Sequence, residues 1–81
     1  MKIRFTERVD KDYATLPANV RKAFAKQLRF LVANLNHPSL HAKKYREGED
    51  LWQARVDRNW RFYFKVLADE YVIISITPHP K

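Results

Sequence analysis

The feature that most restricts the fold is a regular alternation of apolar and polar residues in the C-terminal part of the chain. It covers residues 51–56, 60–67 and 71–77, and a period of two is typical of β-strands that bury one face. The connections between these segments are only the tripeptides "DRN" and "ADE". Because parallel strands need a much longer crossover, the three strands must be antiparallel neighbours.

The first half of the chain supplies the elements that cover this sheet. Residues 2–5 alternate as a short strand does, and Thr6 can cap a helix with the acidic Glu7 in its first turn. Pro17 either ends this helix or begins a second one. The second helix has apolar residues at helical spacing, namely Val20, Ala23, Phe24, Leu28, Leu31, Val32 and Leu35.

A further short strand, residues 43–47, precedes the single glycine, Gly48. The order of elements is therefore β-α-α-β-β-β, and 81 residues are enough for one core. We expect an α+β fold in which a two-helix hairpin packs on one face of a small antiparallel sheet. The whole chain, residues 1–81, is expected to form a single domain.

Positive charge is concentrated in one part of the chain. There are 16 Lys and Arg against 9 Asp and Glu, a formal net charge of +7. Residues 21–46 contain seven of these cations and no acidic residue. Surface cations often serve solubility alone, but this density favours a partner, either a polyanion or an acidic protein.

Several classes of chemistry are excluded by what the sequence lacks. With no cysteine, the chain has no disulfide, no thiol nucleophile and no cysteine-bound zinc. It has no glycine-rich phosphate loop and no His, Asp or Glu cluster with metal-ligand spacing, so we expect no metal or other cofactor. The apolar runs are too short to span a bilayer, and "MKIRFTERVD" has no apolar region of a signal peptide. We therefore expect a cytoplasmic protein without membrane contact.

The alternation divides the strand side chains between two faces. The first set is apolar and is expected to pack under the helices: Trp52, Ala54, Val56, Trp60, Phe62, Phe64, Val66, Val72, Ile74 and Ile76. The second set is expected to face away from them: Gln53, Arg55, Asp57, Arg61, Tyr63, Lys65, Tyr71, Ile73, Ser75 and Thr77. Continued past the strand, the second set reaches His79, and Lys43 or Lys44 adds a cation from the short strand before it.

An ordinary solvated surface is the better interpretation for any single residue of the second face. Together, however, these residues suit RNA, because Arg and Lys bind phosphates and Tyr63 can stack on an unpaired base. His79 can exchange a proton near neutral pH, whereas His37 and His41 are interpreted as solvent-exposed loop residues. Metal-free RNA cleavage fits this set, because the 2′-hydroxyl of the substrate serves as the nucleophile. The protein then needs only to align it, stabilise charge and move protons.

Four features follow one another along the chain: a Leu-Pro turn before the long helix, the loop "HPSL", the Lys-Lys strand, and "ARV…WRFYF" followed by a strand and a histidine. In this order they resemble the RelE/ParE family of bacterial toxin–antitoxin systems over nearly the whole chain. The resemblance implies a β-α-α-β-β-β toxin that a co-encoded antitoxin protein neutralises. RelE-type members cut messenger RNA in the ribosomal decoding site, so the ribosome and mRNA are implied as further partners.

The resemblance also implies roles for particular residues. Arg61 matches a catalytic, phosphate-binding arginine of the family, Arg55 lies at or beside a basic position of the preceding strand, and His79 matches a position that carries a catalytic histidine or an arginine. Members with a full active site usually place a tyrosine after that position, where this chain has Pro80, and Tyr63 offers the phenol instead. The residues expected to bind RNA or the ribosome are Lys43, Lys44, Arg46, Tyr63 and Lys65.

Three functions stay open on the sequence alone. The first is a ribosome-dependent endoribonuclease toxin, in which Arg55 and Arg61 hold the phosphate with one lysine of the Lys43 and Lys44 pair. His79 then acts as general acid or general base. The second is a ParE-like toxin that inhibits DNA gyrase, which needs a binding surface rather than a hydrolytic site. The third is a catalytically inactive family member that only binds its antitoxin or nucleic acid, because fold does not fix function.

Overall fold

The computed structural model describes residues 1–79, which contain two α-helices and five β-strands. In chain order the elements are β1 (Lys2–Phe5), α1 (Glu7–Ala14), α2 (Ala18–Ala33), β2 (Lys43–Arg46), β3 (Leu51–Arg55), β4 (Trp60–Val66) and β5 (Glu70–Pro78). Two short 3₁₀ turns, Pro38–Leu40 and Glu47–Glu49, flank β2. The predicted order of elements is confirmed, and each strand end differs from its prediction by one residue at most. Neither helix of this part of the chain is long and apolar enough to cross a membrane.

The five strands form one sheet in the order β1-β5-β4-β3-β2. The strands β2 to β5 are antiparallel neighbours, as their short connections require. At the other edge, β1 pairs in parallel with β5, from Lys2 opposite Glu70 to Phe5 opposite Ile73. The sheet is therefore mixed, and the expected antiparallel pairing holds for β2 to β5 but not for β1. The alternation of residues 2–5 predicts a strand but not the direction of its pairing. No hairpin joins β1 to β5, so no short connection indicates that direction either.

Thr6 joins the first helix to the sheet. As predicted, it caps α1: its Oγ1 accepts a hydrogen bond from the backbone N–H of Val9 at 3.3 Å. The same hydroxyl lies within donating distance of the carbonyl oxygens of Ile73 (3.0 Å) and Ile74 (3.2 Å) on β5. The start of α1 is thus fixed against the middle of the sheet.

The core lies between the helices and one face of the sheet. Phe24 of α2 meets Phe62 of β4 edge to face, with 5.4 Å between ring centroids, and both are buried. The apolar stripe predicted for α2 is right for Leu31 and wrong for Val32, which is 46% exposed, because successive helical residues point in directions 100° apart. A polar residue, Gln27, is buried on this face of α2 instead.

The strand β5 contains one residue more than its neighbour requires. Tyr63 on β4 pairs with Ser75, but the next residue, Phe64, pairs with Ile73. Ile74 is therefore the extra residue of a β-bulge, which interrupts the alternation of side chains along the strand.

The bulge reverses the predicted faces of the first part of β5. Tyr71 and Ile73 belong to the core, whereas Val72 is buried outside that core. The predictions that Val72 and Ile74 pack under the helices, and that Tyr71 and Ile73 face away from them, were therefore wrong. After the bulge, residues 75–77 have the predicted faces, because the alternation resumes there.

Candidate active site

A polar cleft of about 510 Å³ lies where β3 ends and β4 begins. Four separate segments form it: the loop before β2, the strands β3 and β4, and the residue that follows β5. Its lining residues are His41, Ala42, Lys43, Gln53, Ala54, Arg55, Arg61 and His79. The cleft thus brings together the three residues predicted to be catalytic and one of the lysines predicted to bind RNA.

The two arginines of the cleft are direct neighbours on adjacent strands. Arg55 on β3 lies opposite Arg61 on β4. Burial, followed by the positive charge of Arg55, lowers the pKa of Arg61, and Asp57 acts in the opposite direction. None of the salt bridges described within residues 1–79 includes either arginine. Like charges opposite each other destabilise a sheet, so this pair is suited to an anionic ligand.

The two guanidinium groups are held in different ways. Arg61 donates through Nη1 to the carbonyl oxygens of Asp57 (2.7 Å) and Trp60 (3.0 Å), which fixes it to the β3–β4 turn. Nε of Arg55 is buried and has no hydrogen-bond partner in the described part of the chain. A buried donor without a partner costs about 1–3 kcal/mol, so this Nε lowers the stability of the free protein.

His79 is attached to the same turn as Arg61. Its backbone N–H donates to the carbonyl oxygen of Asn59 at 2.7 Å, and its side chain lines the cleft. The predicted face of His79 therefore agrees with its position, because the bulge lies upstream and residues 75–77 keep their phase.

His41 also lines the cleft, although its place in a loop of the sequence did not predict this position. It follows the Pro38–Leu40 turn with a left-handed backbone, φ 47°, and its exposed side chain belongs to the cleft wall. Its interpretation as a bystander in a loop was therefore incomplete. His37 has a structural position instead: its ring stacks on Phe30 at 3.9 Å, and its Nδ1 accepts a hydrogen bond from the backbone N–H of Ser39 at 3.1 Å.

Two tyrosines lie beside the cleft. The hydroxyl of Tyr63 accepts a hydrogen bond from Nε2 of Gln53 at 3.0 Å. The ring of Tyr45 meets Tyr63 edge to face with 5.1 Å between centroids and is 49% exposed. Tyr45 was not predicted as a site residue. Tyr45 lies two residues after Lys43, and this spacing was the available signal that the two share a face of the strand. A register shift within β2 interrupts the regular alternation there.

The remaining cations predicted to bind RNA lie outside the cleft. Lys44 is opposite Trp52 on β3, with its Nζ 4.0 Å from a carboxylate oxygen of Asp50. Arg46 forms a 3.6 Å ion pair with Glu49. Lys65 is exposed near the far end of β4. Of the basic segment in β2, only Lys43 therefore contributes to the cleft.

Residues 3–80 match the family model of the ParE toxin of type II toxin–antitoxin systems. The chain belongs to this toxin family. The membership confirms the resemblance to RelE/ParE toxins that the order of motifs indicated. No curated protein matches the sequence.

Solved toxin structures have the same fold. A YoeB/ParE toxin from Agrobacterium tumefaciens is 16% identical with a TM-score of 0.82, over 99% of this chain and 100% of that one. A chain of the RelE–RelB complex from Pyrococcus horikoshii is 18% identical with a TM-score of 0.79, over 95% and 92%. A chain of the heterotetrameric YoeB–YefM complex from Staphylococcus aureus is 17% identical with a TM-score of 0.78, over 99% and 98%. These likenesses show that the chain has the RelE/YoeB toxin fold.

Proposed function

We propose that this family member is a ribosome-dependent endoribonuclease, a cytoplasmic toxin that cleaves mRNA without a metal or other cofactor. The observation that carries the proposal is the cleft in which Arg55, Arg61, His41 and His79 meet. Two neighbouring arginines that form no salt bridge within residues 1–79 suit a phosphate group, and histidines can exchange protons near neutral pH.

In the proposed reaction the 2′-hydroxyl of the RNA attacks the adjacent phosphorus, and the bond to the 5′-oxygen breaks. Arg55 and Arg61 stabilise the negative charge that develops on the phosphate oxygens. His79 protonates the leaving 5′-oxygen or removes the proton of the 2′-hydroxyl, and His41 is available for the opposite transfer. The products are a 2′,3′-cyclic phosphate and a free 5′-hydroxyl.

The test of this reaction is the variant His79→Ala. Cleavage of ribosome-bound mRNA should slow by roughly a hundredfold to ten-thousandfold, the usual contribution of a general acid or base. Binding to ribosomes should survive, because the cations of β2 remain. Cleavage is measured by mapping message ends and identifying the terminal phosphate. Cleavage at the wild-type rate would reduce His79 to a structural residue and leave the arginines to act with His41.

The surface around the cleft is proposed to bind mRNA and ribosomal RNA. Lys43 adds positive charge inside the cleft, and beside it the exposed ring of Tyr45 and the partly buried ring of Tyr63 offer stacking surfaces for unpaired bases. Lys44, Arg46 and Lys65, which lie farther away, are placed to contact phosphates without regard to sequence. Contacts of this kind supply affinity that falls as salt rises.

We further propose that a co-encoded antitoxin binds the helical side of the protein. The solved relatives include toxins in complex with RelB and with YefM. In this chain an apolar groove of about 370 Å³ runs between β1, α1 and α2, and its rim exposes the rings of Phe5 and Tyr13. Large exposed aromatic side chains are typical of a surface that a protein partner covers.

A second candidate is a ParE-like toxin that acts on DNA gyrase. The family model itself is that of the ParE toxin, which favours this alternative. Inducing the protein in cells separates the two activities: an endoribonuclease produces new message ends, whereas a gyrase inhibitor changes DNA supercoiling and leaves message ends intact.

A further inference from the structure

Gln27 is a buried polar residue in the middle of α2, only 3% exposed, between the core residues Phe24 and Leu31. Its amide is fully engaged with two other segments of the chain. Nε2 donates to the carbonyl oxygens of Ser39 (2.9 Å) and Arg55 (2.8 Å), and Oε1 accepts a hydrogen bond from Oγ of Ser39 at 3.0 Å.

Both segments contribute to the cleft or adjoin it. Ser39 belongs to the Pro38–Leu40 turn, and His41, which lines the cleft, follows directly after that turn. Arg55 ends β3 and lines the cleft itself. One amide thus joins the backbone of the turn before His41 to the backbone of Arg55.

The orientation of this amide is fixed by its partners. A flip would place Oε1 against two carbonyl oxygens, where no hydrogen bond can form. It would also turn the NH₂ group toward the Ser39 hydroxyl, which could then accept from Gln27 but no longer donate to it. A leucine or methionine at this helix position would serve the core without burying a polar group. A fully satisfied buried network of this kind selects one arrangement of the segments that it joins.

We propose that Gln27 is a positioning residue that fixes the segment carrying His41 against the Arg55 end of β3, and therefore the shape of the phosphate-binding cleft. The inference rests on the proposed function, since it assigns Gln27 a part in binding the RNA phosphate. Gln27 itself acts only through the backbone of Ser39 and Arg55.

The experiment compares Gln27→Met with a matched control, Thr6→Val. Gln27→Met removes three hydrogen bonds behind the cleft, and Thr6→Val removes the partly buried hydroxyl that joins α1 to β5, away from the cleft. The probe is a single-stranded 2′-deoxyoligonucleotide, which cannot be cleaved because it lacks the nucleophile. Its affinity is measured below the melting temperature of both variants. Circular dichroism verifies that they are folded.

Both substitutions should lower the melting temperature, but only Gln27→Met should weaken oligonucleotide binding, by about tenfold, within the range of couplings between contacting residues. Amide hydrogen exchange should rise at residues 39–41 in that variant and not in α1. Equal affinity of Gln27→Met and wild type, or equal losses in both variants, would overturn the inference.

A milder variant covers the case in which Gln27→Met does not fold. Ser39→Ala removes only the hydroxyl that donates to Gln27 Oε1, and it should weaken oligonucleotide binding by about two- to fivefold, near the low end of such couplings. Unchanged affinity would contradict the proposal. A wild-type protein that binds the oligonucleotide but cuts no mRNA refutes the proposed function and leaves the role of Gln27 open to the same measurements.

Discussion

Arg55 and Arg61 are two residues whose positions lower the stability of the free protein. They stand opposite each other on neighbouring strands, and Nε of Arg55 is buried without a partner in the described residues. Both features disfavour the unliganded fold. A phosphate between the two guanidinium groups would offset the repulsion between them, so the cleft should gain most from an anionic ligand.

The variant Arg61→Ala tests this balance. It should abolish growth inhibition and weaken RNA binding by a factor of ten or more, because a charge-assisted contact worth about 1.5–3 kcal/mol is lost. The melting temperature should change little, since the two hydrogen bonds to the turn are lost together with the repulsion from Arg55. Thermal unfolding and RNA titration measure the two effects.

Arg58→Ala is the matched control for this variant. Arg58 is an exposed cation of the same turn and does not line the cleft. It should keep growth inhibition. Equal loss of RNA binding in both variants would mean that net charge, and not the geometry of the arginine pair, determines affinity.

At this scale the sequence reveals some cleft residues and conceals others. Arg55, Arg61 and His79 follow from period-two counting, because strands place alternate residues on one face. His41 does not, because its position depends on a turn and a left-handed backbone that no alternation describes. Gln27 is concealed for another reason: a polar residue on an apolar stripe has no detectable partner until the fold brings Ser39 beside it.

Among the elements, β5 departs most from expectation. Its period-two pattern is regular by sequence, yet the strand contains an extra residue at Ile74. The antiparallel strands themselves were predictable from short connections. The bulge was not predictable, because Ile74 is an apolar residue among apolar neighbours and nothing in the sequence of the strand marks it as the extra residue. The parallel direction of β1 was not predictable for a different reason, because no short local connection joins β1 to β5.

Paired alanine substitutions distinguish the observed phase from the simple alternation. Ile73→Ala should lower the free energy of unfolding by about 2–5 kcal/mol, because Ile73 is fully buried in the core. Ile74→Ala should cost clearly less, because Ile74 lies in the bulge and is only partly buried. Denaturant unfolding gives both values. The reverse order would restore the face that simple alternation assigns.

At the scale of the whole molecule, many cations act together as an extended positive electrostatic field and not only as separate contacts. Residues 21–46 contain seven cations and no acid, and they extend from α2 through the loop to β2. Such a field attracts acidic or nucleic-acid partners before any specific contact forms. The apolar groove between β1 and the helices then offers the surface that a protein partner can bury.

Association with the co-encoded antitoxin should therefore depend strongly on salt. Raising ionic strength should slow association by roughly tenfold or more, because steering is screened, and should affect dissociation less. Stopped-flow titration measures both rates. Lys22→Glu in α2 should slow association, whereas Arg58→Glu in the β3–β4 turn serves as the control, because Arg58 is exposed and lies outside both the acid-free stretch and the apolar groove. Association rates that do not change with ionic strength would contradict a steering role for these cations.

The order of strands gives the cations of β2 a second consequence. β2 is an outer strand of the sheet, so one side of its backbone is free to pair with another chain. Sheet edges of this kind recruit other strands unless charge or irregularity prevents it, and β2 combines Lys43, Lys44 and Arg46 with a register shift. We expect the charges proposed to meet RNA also to oppose pairing between copies of the protein at this edge. A variant in which Lys43, Lys44 and Arg46 are all replaced by neutral residues should lose toxicity and should aggregate more readily.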